Sequence, residues 1–311
     1  MEKAIFDLLT QGYTFDSIQS KLSLTREDMA FFLKSINNKI HQNYNHIKYY
    51  ENGKRRYSFK ELNESSVITE LNADYYKTVV ISDTHFGSTD ENPRYLDIVY
   101  NYCIQNNIHN IYHLGDVVDG TSGYQDNKKL KPLEQIEHVI NDYPFDKSIL
   151  NFILLGNHDM DLIGYSENVH DAIIKNRKDM VCLGYGTNEL FLKNDSIILK
   201  HTLLIDKTIT NYNNKIILRG HSHRMKCVND LNNCLIYAPS LSDLQFVEDT
   251  IPGFLVVEFS FFNGYINKCI VNHYGIIDNK LINMNVDRVI LRSHTRPEDV
   301  QREERFAKIK K

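Results

Sequence analysis

Hydrophobic and polar positions recur along this chain at two different periods, and the change of period divides it. Near the start, Ala4, Ile5, Leu8 and Leu9 repeat at helical spacing until Gly12, and Phe15, Ile18 and Leu22 repeat again. Thr25 and Asp28 then have the spacing of a capping box, with Asp in place of the usual Glu or Gln. Met29, Phe32, Leu33, Ile36 and Ile40 follow as the stripe of a third, longer helix. Residues 47–59 are two β-prone runs around Asn52-Gly53, a hairpin signal because type I′ turns need positive φ at both central positions. Three helices and a hairpin predict a small winged helix-turn-helix-like module over residues 1–62. Residues 63–76 are polar and read as a linker.

From residue 77 the texture changes. Short apolar strands are predicted at 79–81, within 108–114 and at 149–155, separated by helical patterns at 93–107 and 130–141 and followed by another at 168–177. Strands then dominate, at 190–192, 197–199, 216–218, 235–237, 254–259 and 266–271. Alternating strand and helix followed by a strand-rich half predicts an α/β sandwich with two sheets, spanning residues 77–275. Residues 276–311 are a C-terminal extension. Its last part, 288–311, holds eight basic and four acidic residues and reads as a surface helix or basic tail.

Composition narrows this picture. At about 150 residues per domain, 311 residues fit two domains, or one with an extension. No apolar run approaches the roughly 18–20 residues of a membrane span, and the charged start does not resemble a secretory signal, so no membrane association is expected. Five cysteines, an odd number without C-x-x-C spacing, disfavour a disulfide framework or a thiolate zinc site. A reduced, cytoplasmic compartment fits them. The net charge of −4 rules out a basic field over the whole protein. Locally, residues 34–60 carry seven basic residues and one acid, with Tyr44, Tyr49, Tyr50 and Tyr57 interleaved. Such a face meets nucleic-acid phosphates, with the wing beside a groove. The competing use is protein contact or homodimerisation, since winged helices serve both.

The chemistry sits just after five apolar strands: Ser82-Asp83-Thr84-His85-Phe86-Gly87, His113-Leu114-Gly115-Asp116-Val117-Val118-Asp119-Gly120, Gly156-Asn157-His158-Asp159, Lys200-His201, and Arg219-Gly220-His221-Ser222-His223. Ligands in α/β folds collect at the carboxyl ends of strands, where loops distant in sequence converge. The candidate donors among them, the carboxylates Asp83 and Asp116, the carboxamide Asn157 and five histidines (His85, His158, His201, His221 and His223), without thiolate, suit Mn²⁺, Fe²⁺ or Zn²⁺ better than Mg²⁺ or Ca²⁺. They are too many for one ion and enough for two ions sharing a carboxylate. Paired ions about 3.5–4 Å apart, bridged by a hydroxide, are a recurring device for in-line attack on phosphorus. His113 reads equally as a support for the metal loop or a strand-end residue, and Arg219 equally as a phosphate contact or a surface ion pair.

In their order, D-x-H, G-D-x-x-D-G, G-N-H-D, a lone His and G-H-x-H, these clusters resemble the calcineurin-like metallophosphoesterase superfamily, and Pro239-Ser240 resembles its small turn after the last motif. The resemblance implies a two-sheet αββα sandwich and two divalent ions, Mn²⁺ ahead of Fe or Zn. It places Asp83, His85, Asp116 and His223 around the first ion, and Asp116, Asn157, His201 and His221 around the second. His158 then faces the leaving-group oxygen or the transferring phosphoryl group, Asp159 orients its imidazole, and Asp119 supports the metal loop. Protein phosphatases of the superfamily resemble G-D-x-x-D-R-G, with an Arg directly after the second Asp, and end the third motif in Glu. Here Gly120-Thr121 follows Asp119 and Asp159 ends the third motif, closer to the phosphodiesterase and nuclease branches. With the N-terminal module, this predicts a phosphodiesterase acting on nucleic acid. The alternative is a small-molecule or nucleotide phosphatase or phosphodiesterase that uses the module for dimerisation.

Overall fold

The computed structural model describes residues 1–10, 13, 15–25, 27–29, 31–32, 44–51, 54–61, 68–69, 74–121, 130–162, 172–173, 176–201, 215–230, 233–243, 250–284 and 288–291. The two short helical stripes form α1 (Glu2–Thr10) and α2 (Phe15–Leu22), with Ile5 and Ile18 buried. The capping box forms as spaced: the Thr25 amide donates to Asp28 Oδ2 (3.0 Å) and the Asp28 amide to Thr25 Oγ1 (3.0 Å). The residues after it, 27–29 and 31–32, are helical. The rest of that third helix lies outside the described residues. Strands β1 (Tyr44–Glu51) and β2 (Lys54–Glu61) pair antiparallel in a register closed by Glu51 opposite Lys54. The Asn52-Gly53 turn itself lies outside the described residues. β3 (Ile68–Thr69) falls in the stretch expected as linker and pairs parallel with strand Thr187–Leu192.

The main body begins with β4 (Tyr75–Ile81), α3 (Pro93–Gln105), β5 (Asn110–His113), α4 (Pro132–Asp142), β6 (Leu150–Leu155), the short α5 (Asn157–Asp161) and β7 (Met180–Tyr185). Proline opens both α3 and α4, where its fixed φ suits the first turn and its missing N–H costs nothing. β4, β5, β6 and β7 are parallel neighbours, as crossover helices between them require. Only residues 172–173 and 176 of the helix expected at 168–177 are described as helical; most of the remainder lies outside the described residues. The chain continues through β8 (Thr187–Leu192), β9 (Asp195–Lys200), β10 (Ile216–Arg219), β11 (Lys226–Asp230), β12 (Asn233–Tyr237), β13 (Gly253–Phe262), β14 (Tyr265–Ile277), β15 (Lys280–Asn283) and β16 (Arg288–Leu291).

These strands make two mixed sheets. One has six strands in the order β11-β12-β10-β9-β8-β3. The other has eight, in the order β15-β14-β13-β4-β5-β6-β7 with β16 also on β14. Period-two alternation sends each strand's side chains to opposite faces. Val80, Tyr112, Leu154 and Leu255 of the large sheet meet Ile197, Leu199, Leu218 and Ile236 of the small one in a shared core. Val79, Ile81, Ile111 and Ile153 point the other way, against Leu96, Val99, Ile136 and Val139 of α3 and α4. Full burial of each such side chain is worth about 1.5–3 kcal/mol, so this sandwich holds the loop ends rigidly. Of the four layers of an αββα sandwich, the described residues supply helices, sheet and sheet. The outer apolar cluster of the small sheet, Ile198, Ile217 and Leu235, contains no helical residue.

One expectation is corrected at the C-terminal end. Residues 288–291 are neither helix nor tail but β16, antiparallel to Lys268–Val271 of β14. The surrounding basic residues hide the apolar run Val289-Ile290-Leu291, which is what pairs. Residues 292–311 lie outside the described residues. No helix among the described residues is long and apolar enough to cross a membrane.

Candidate metal centre

The five polar clusters sit at the carboxyl ends of β4, β5, β6, β9 and β10, all parallel to a neighbour. Past Ile81 the first two loops remain zipped together. The Asp83 amide donates to Gly115 O (2.9 Å), the His85 amide to Asp116 O (3.1 Å), the Phe86 amide to Val117 O (2.8 Å) and the Asp119 amide back to Phe86 O (3.1 Å). Within this ladder Asp83, His85 and Asp116 take left-handed backbone with φ of 56°, 48° and 54°, and His221 and His223 do so at 73° and 55°. A side-chain-bearing residue there costs about 1–3 kcal/mol, and it persists only where its surroundings over-determine it. The effect is to turn five imidazole and carboxylate groups inward from adjacent loops. Gly115 (φ 106°) and Gly156 leave the room: a Cβ on the first would strike the His201 ring, and on the second the Asp116 carboxylate.

Three groups of possible ligand atoms result, Asp83/His85/His223, Asp116/His201/His221 and His85/Asp119/His158, each with its atoms within 4.8 Å of one another. The expected bridging residue, Asp116, belongs to the second. Its Oδ2 lies 2.9 Å from His201 Nε2, and Asp83 Oδ1 lies 3.2 Å from His223 Nε2. Asp83 Oδ1, His85 Nε2, Asp116 Oδ2, Asn157 Oδ1, His201 Nε2 and His221 Nδ1 are all buried without a well-directed hydrogen bond. Leaving one such group unsatisfied typically costs about 1–3 kcal/mol, and apart from the close carboxylate–imidazole pairs just named these atoms converge without a hydrogen bond, so their arrangement calls for a common partner. Carboxylate, carboxamide and imidazole atoms converging in this way fit divalent cations, and these residues suit the group.

Hydrogen bonds on the far side of each ring fix which nitrogen faces the centre. His85 donates Nδ1–H to Asp119 Oδ1 (3.2 Å) and His201 donates Nδ1–H to Leu114 O (2.6 Å), so both present Nε2. The His221 amide donates to Asp83 Oδ2 (3.0 Å), and Ser240 Oγ donates to Asp83 O (2.9 Å). Electrostatics follow the same lines. Burial pushes the Asp83 and Asp116 carboxyls up, yet the surrounding imidazoles, His223 and His201 foremost, bring both well below the usual range. Burial lowers His201, but the Asp116 carboxylate outweighs it and raises the imidazole to about 9. The carboxylates that draw a proton onto His201 draw a dication to the same lone pair.

His158 sits 17% exposed at the rim, with Nε2 4.0 Å from Asp116 Oδ2. Its amide donates to Asp116 Oδ1 (2.9 Å), and its Nδ1–H donates to the backbone carbonyl of Asp119 (2.7 Å). The expectation for Asp159 is therefore corrected. Asp159 does not orient His158; its two oxygens accept the amides of Val118 (3.0 Å) and Gly156 (2.7 Å) and tie the second loop to the third. Burial and the Asp116 charge raise its carboxyl to about 6. Asp119 does support the loop, through His85 and through that carbonyl.

Two open readings resolve. His113 is a buried support: Nδ1 accepts the Gly115 amide (3.2 Å), so Nε2–H donates to Thr84 Oγ1 (2.9 Å), which donates to Val117 O (3.0 Å). Burial lowers its imidazole to about 3, keeping it neutral. Arg219 is no surface residue; it is buried, with its guanidinium 5.3 Å from the centre of the Tyr237 ring. Sequence reasoning missed Gln135 and Glu91. Gln135 bonds Gly120 at both its amide (2.9 Å) and its carbonyl (3.0 Å), and Glu91 accepts the Gly87 amide (2.7 Å). Neither has a local signature, since each acts from outside a motif on a glycine that ends one.

Residues 76–225 match the family model described as calcineurin-like phosphoesterase. No curated protein matches the chain. Among solved structures, a conserved uncharacterised protein from Streptococcus pneumoniae, titled a predicted phosphoesterase, is similar at 15% identity and TM-score 0.41, over 70% of this chain and 98% of that one. Yfce, a phosphoesterase from E. coli, is similar at 15% identity and TM-score 0.42, over 69% and 98%. Vacuolar Protein Sorting 29 from Cryptosporidium parvum is similar at 12% identity and TM-score 0.44, over 70% and 99%. The matched segment runs from β4 through the last histidine motif and so contains every group of the centre. Over residues 76–225 the chain is accordingly similar to calcineurin-like phosphoesterases, and the match together with the ligand groups inside it supports a metal-dependent phosphoester hydrolase.

Proposed function

We propose that the centre binds two divalent ions and hydrolyses phosphodiester bonds of nucleic acid. Asp83, His85, Asp116 and His223 hold one ion; Asp116, Asn157, His201 and His221 hold the other. The convergence of six buried ligand atoms without a well-directed hydrogen bond carries this reading. Mn²⁺ is the first choice for this donor set, with Fe²⁺ and Zn²⁺ as alternatives. When bound, such ions supply Lewis acidity and water activation. The chain's own residues do the rest. Asp116 joins the two ligand groups. His158, with Nδ1–H fixed on the Asp119 carbonyl, turns Nε2 toward the reacting phosphate, and a second proton taken up at Nε2 would pass from there to the leaving oxygen, returning the ring to its Nδ1–H form.

The nucleic-acid half rests on the N-terminal unit, residues 1–62. The β1–β2 register puts Lys48 opposite Tyr57, Tyr49 opposite Arg56 and Tyr50 opposite Arg55, so each of these pairs sets one basic position against one aromatic position. β1 lies next to α5, the helix that starts with Asn157 and His158. A polynucleotide held by the hairpin is thereby concentrated near the centre. Five thiols without a disulfide suit a reducing, cytoplasmic setting.

The test offers the Mn²⁺-loaded full chain three substrates: bis(4-nitrophenyl) phosphate, 4-nitrophenyl phosphate and a fluorescent DNA oligonucleotide. Faster turnover of the diester, with oligonucleotide cleavage that falls steeply with salt, is expected. Preference for the monoester, with the oligonucleotide left intact, replaces this reading with a small-molecule phosphatase whose N-terminal unit binds protein.

A further inference from the structure

Gln135 is fully buried on α4 and contacts both metal loops at their ends. Its amide nitrogen donates to Gly120 O (3.0 Å) and Leu130 O (2.8 Å), and its Oε1 accepts the Gly120 amide (2.9 Å). Its stem lies over Gly87, where an added Cβ would come within 2.5 Å of Gln135 Cγ. The Gly120 N–H belongs to the same peptide plane as the Asp119 carbonyl, and that carbonyl accepts His158 Nδ1–H. Gln135 and His158 thus grip opposite ends of one peptide unit. Glycine at 120, with φ of 67°, leaves this unit free to rotate unless something holds it. Rotated by half a turn, it would show His158 an N–H instead of a C=O, and the ring would have to carry its proton on Nε2.

We infer that Gln135 is a positioning residue that locks the Asp119–Gly120 peptide, and through it selects the His158 tautomer that offers Nε2 to the substrate. The same peptide follows the Asp119 carboxylate that orients His85, so one buried amide sets two rings. The assignment of His158 to proton transfer rests on the function proposed above; the tautomer does not.

Nitrogen-15 histidine spectra of the full chain test it directly, with the His158 signal assigned by its loss in His158→Ala. The wild type is expected to carry the proton on Nδ1; an Nε2–H tautomer overturns the inference even if no variant folds. Gln135→Met, similar in volume but without hydrogen bonds, is expected to lose the fixed tautomer. With Mn²⁺ and a chromogenic diester, its kcat should fall about 10–100-fold while KM stays within about twofold. Gln135→Glu keeps an acceptor for the Gly120 amide and should retain the Nδ1–H form. Asn151→Leu, a buried polar change that breaks a bond to Tyr100 (2.8 Å) instead, serves as the stability control. A merely structural role is the answer if Gln135→Met keeps the tautomer, or loses no more kcat than Asn151→Leu at matched Tm. An inactive wild type with the expected tautomers would sink the proposed reaction and leave the positioning role standing.

Discussion

The two sheets build the centre in different ways. The eight-stranded sheet contributes loops after β4 and β5 that turn through left-handed residues and stay zipped by backbone hydrogen bonds, so Asp83, His85 and Asp116 are fixed by their own loops. The six-stranded sheet contributes His201 straight off the end of β9, its amide on Gly186 O (2.7 Å). Its ring is held by Leu114 O, a carbonyl of the other sheet, and the His221 amide is held by Asp83 Oδ2, also of the other sheet. One half is preorganised by itself and the other is oriented by the first. Packing of the two sheets, through the core between them, is thus part of the site's geometry.

Asp116→Asn tests that junction hardest. Asp116 Oδ1 holds the His158 amide while Oδ2 faces His201, so the change removes charge from both halves at once. Turnover of a chromogenic diester should fall by more than the roughly hundredfold ceiling for supporting groups, with reduced Mn²⁺ uptake by elemental analysis. Full uptake and turnover within tenfold of wild type would show that the halves do not meet at this residue. His158→Ala comes next. It should lower the rate about 10²–10⁴-fold with metal content unchanged, because its ring, grouped at the rim with His85 and Asp119, stands outside the two groups assigned to the ions. A parallel loss of metal would place it among the ligands instead.

Gly115→Ala sharpens the dependence of one sheet on the other. Alanine at φ 106° is strained and its methyl would displace the His201 ring, while Asp83 and His85 keep their ladder. A loss of about 1–3 kcal/mol in stability is expected, read as a lowered Tm, with weakened uptake of one ion and retention of the other. Equal weakening of both would mean that the first half is not self-sufficient.

The same asymmetry decides what can be read from sequence. Loops that must turn sharply, ladder and present ligands leave dense local patterns, and Asp83-Thr84-His85 or Gly156-Asn157-His158 is visible for that reason. His201 needs no special backbone, since it ends a strand; only its place in a motif order marks it. Adjacency misled in the case of Asp159, which neighbours His158 in the chain but spends both oxygens on the amides of Val118 and Gly156. Gln135 was invisible because its partners, Gly120 and Leu130, are backbone groups that any glutamine on a helix is able to meet, and only the packing of α4 on the loops says that this one does. Charge counting hid β16 behind its arginines.

The smallest expected effect probes how the self-held half is braced from outside. Glu91 accepts the Gly87 amide at the end of the first loop and also meets His138 Nε2 at 2.8 Å, while His138 Nδ1 lies 2.7 Å from Asp142 and its ring packs on Phe86. Burial lowers the His138 imidazole, but Asp142 and Glu91 outweigh it and raise its pKa above the ordinary value. A raised histidine pKa means that the folded state binds the proton more tightly than the unfolded chain. The stabilisation is therefore complete below the unfolded value of about 6.5 and disappears as pH rises through the folded one. The side chain is 24% exposed and solvent screens the pair, so about 0.2–1 kcal/mol is at stake. His138→Gln should flatten the Tm profile as pH rises from the unfolded histidine value of about 6.5, relative to wild type, while leaving the metal ligands in place. A Tm that falls over that rise equally in both proteins would show that this brace adds nothing and that the ladder between the first two loops suffices alone.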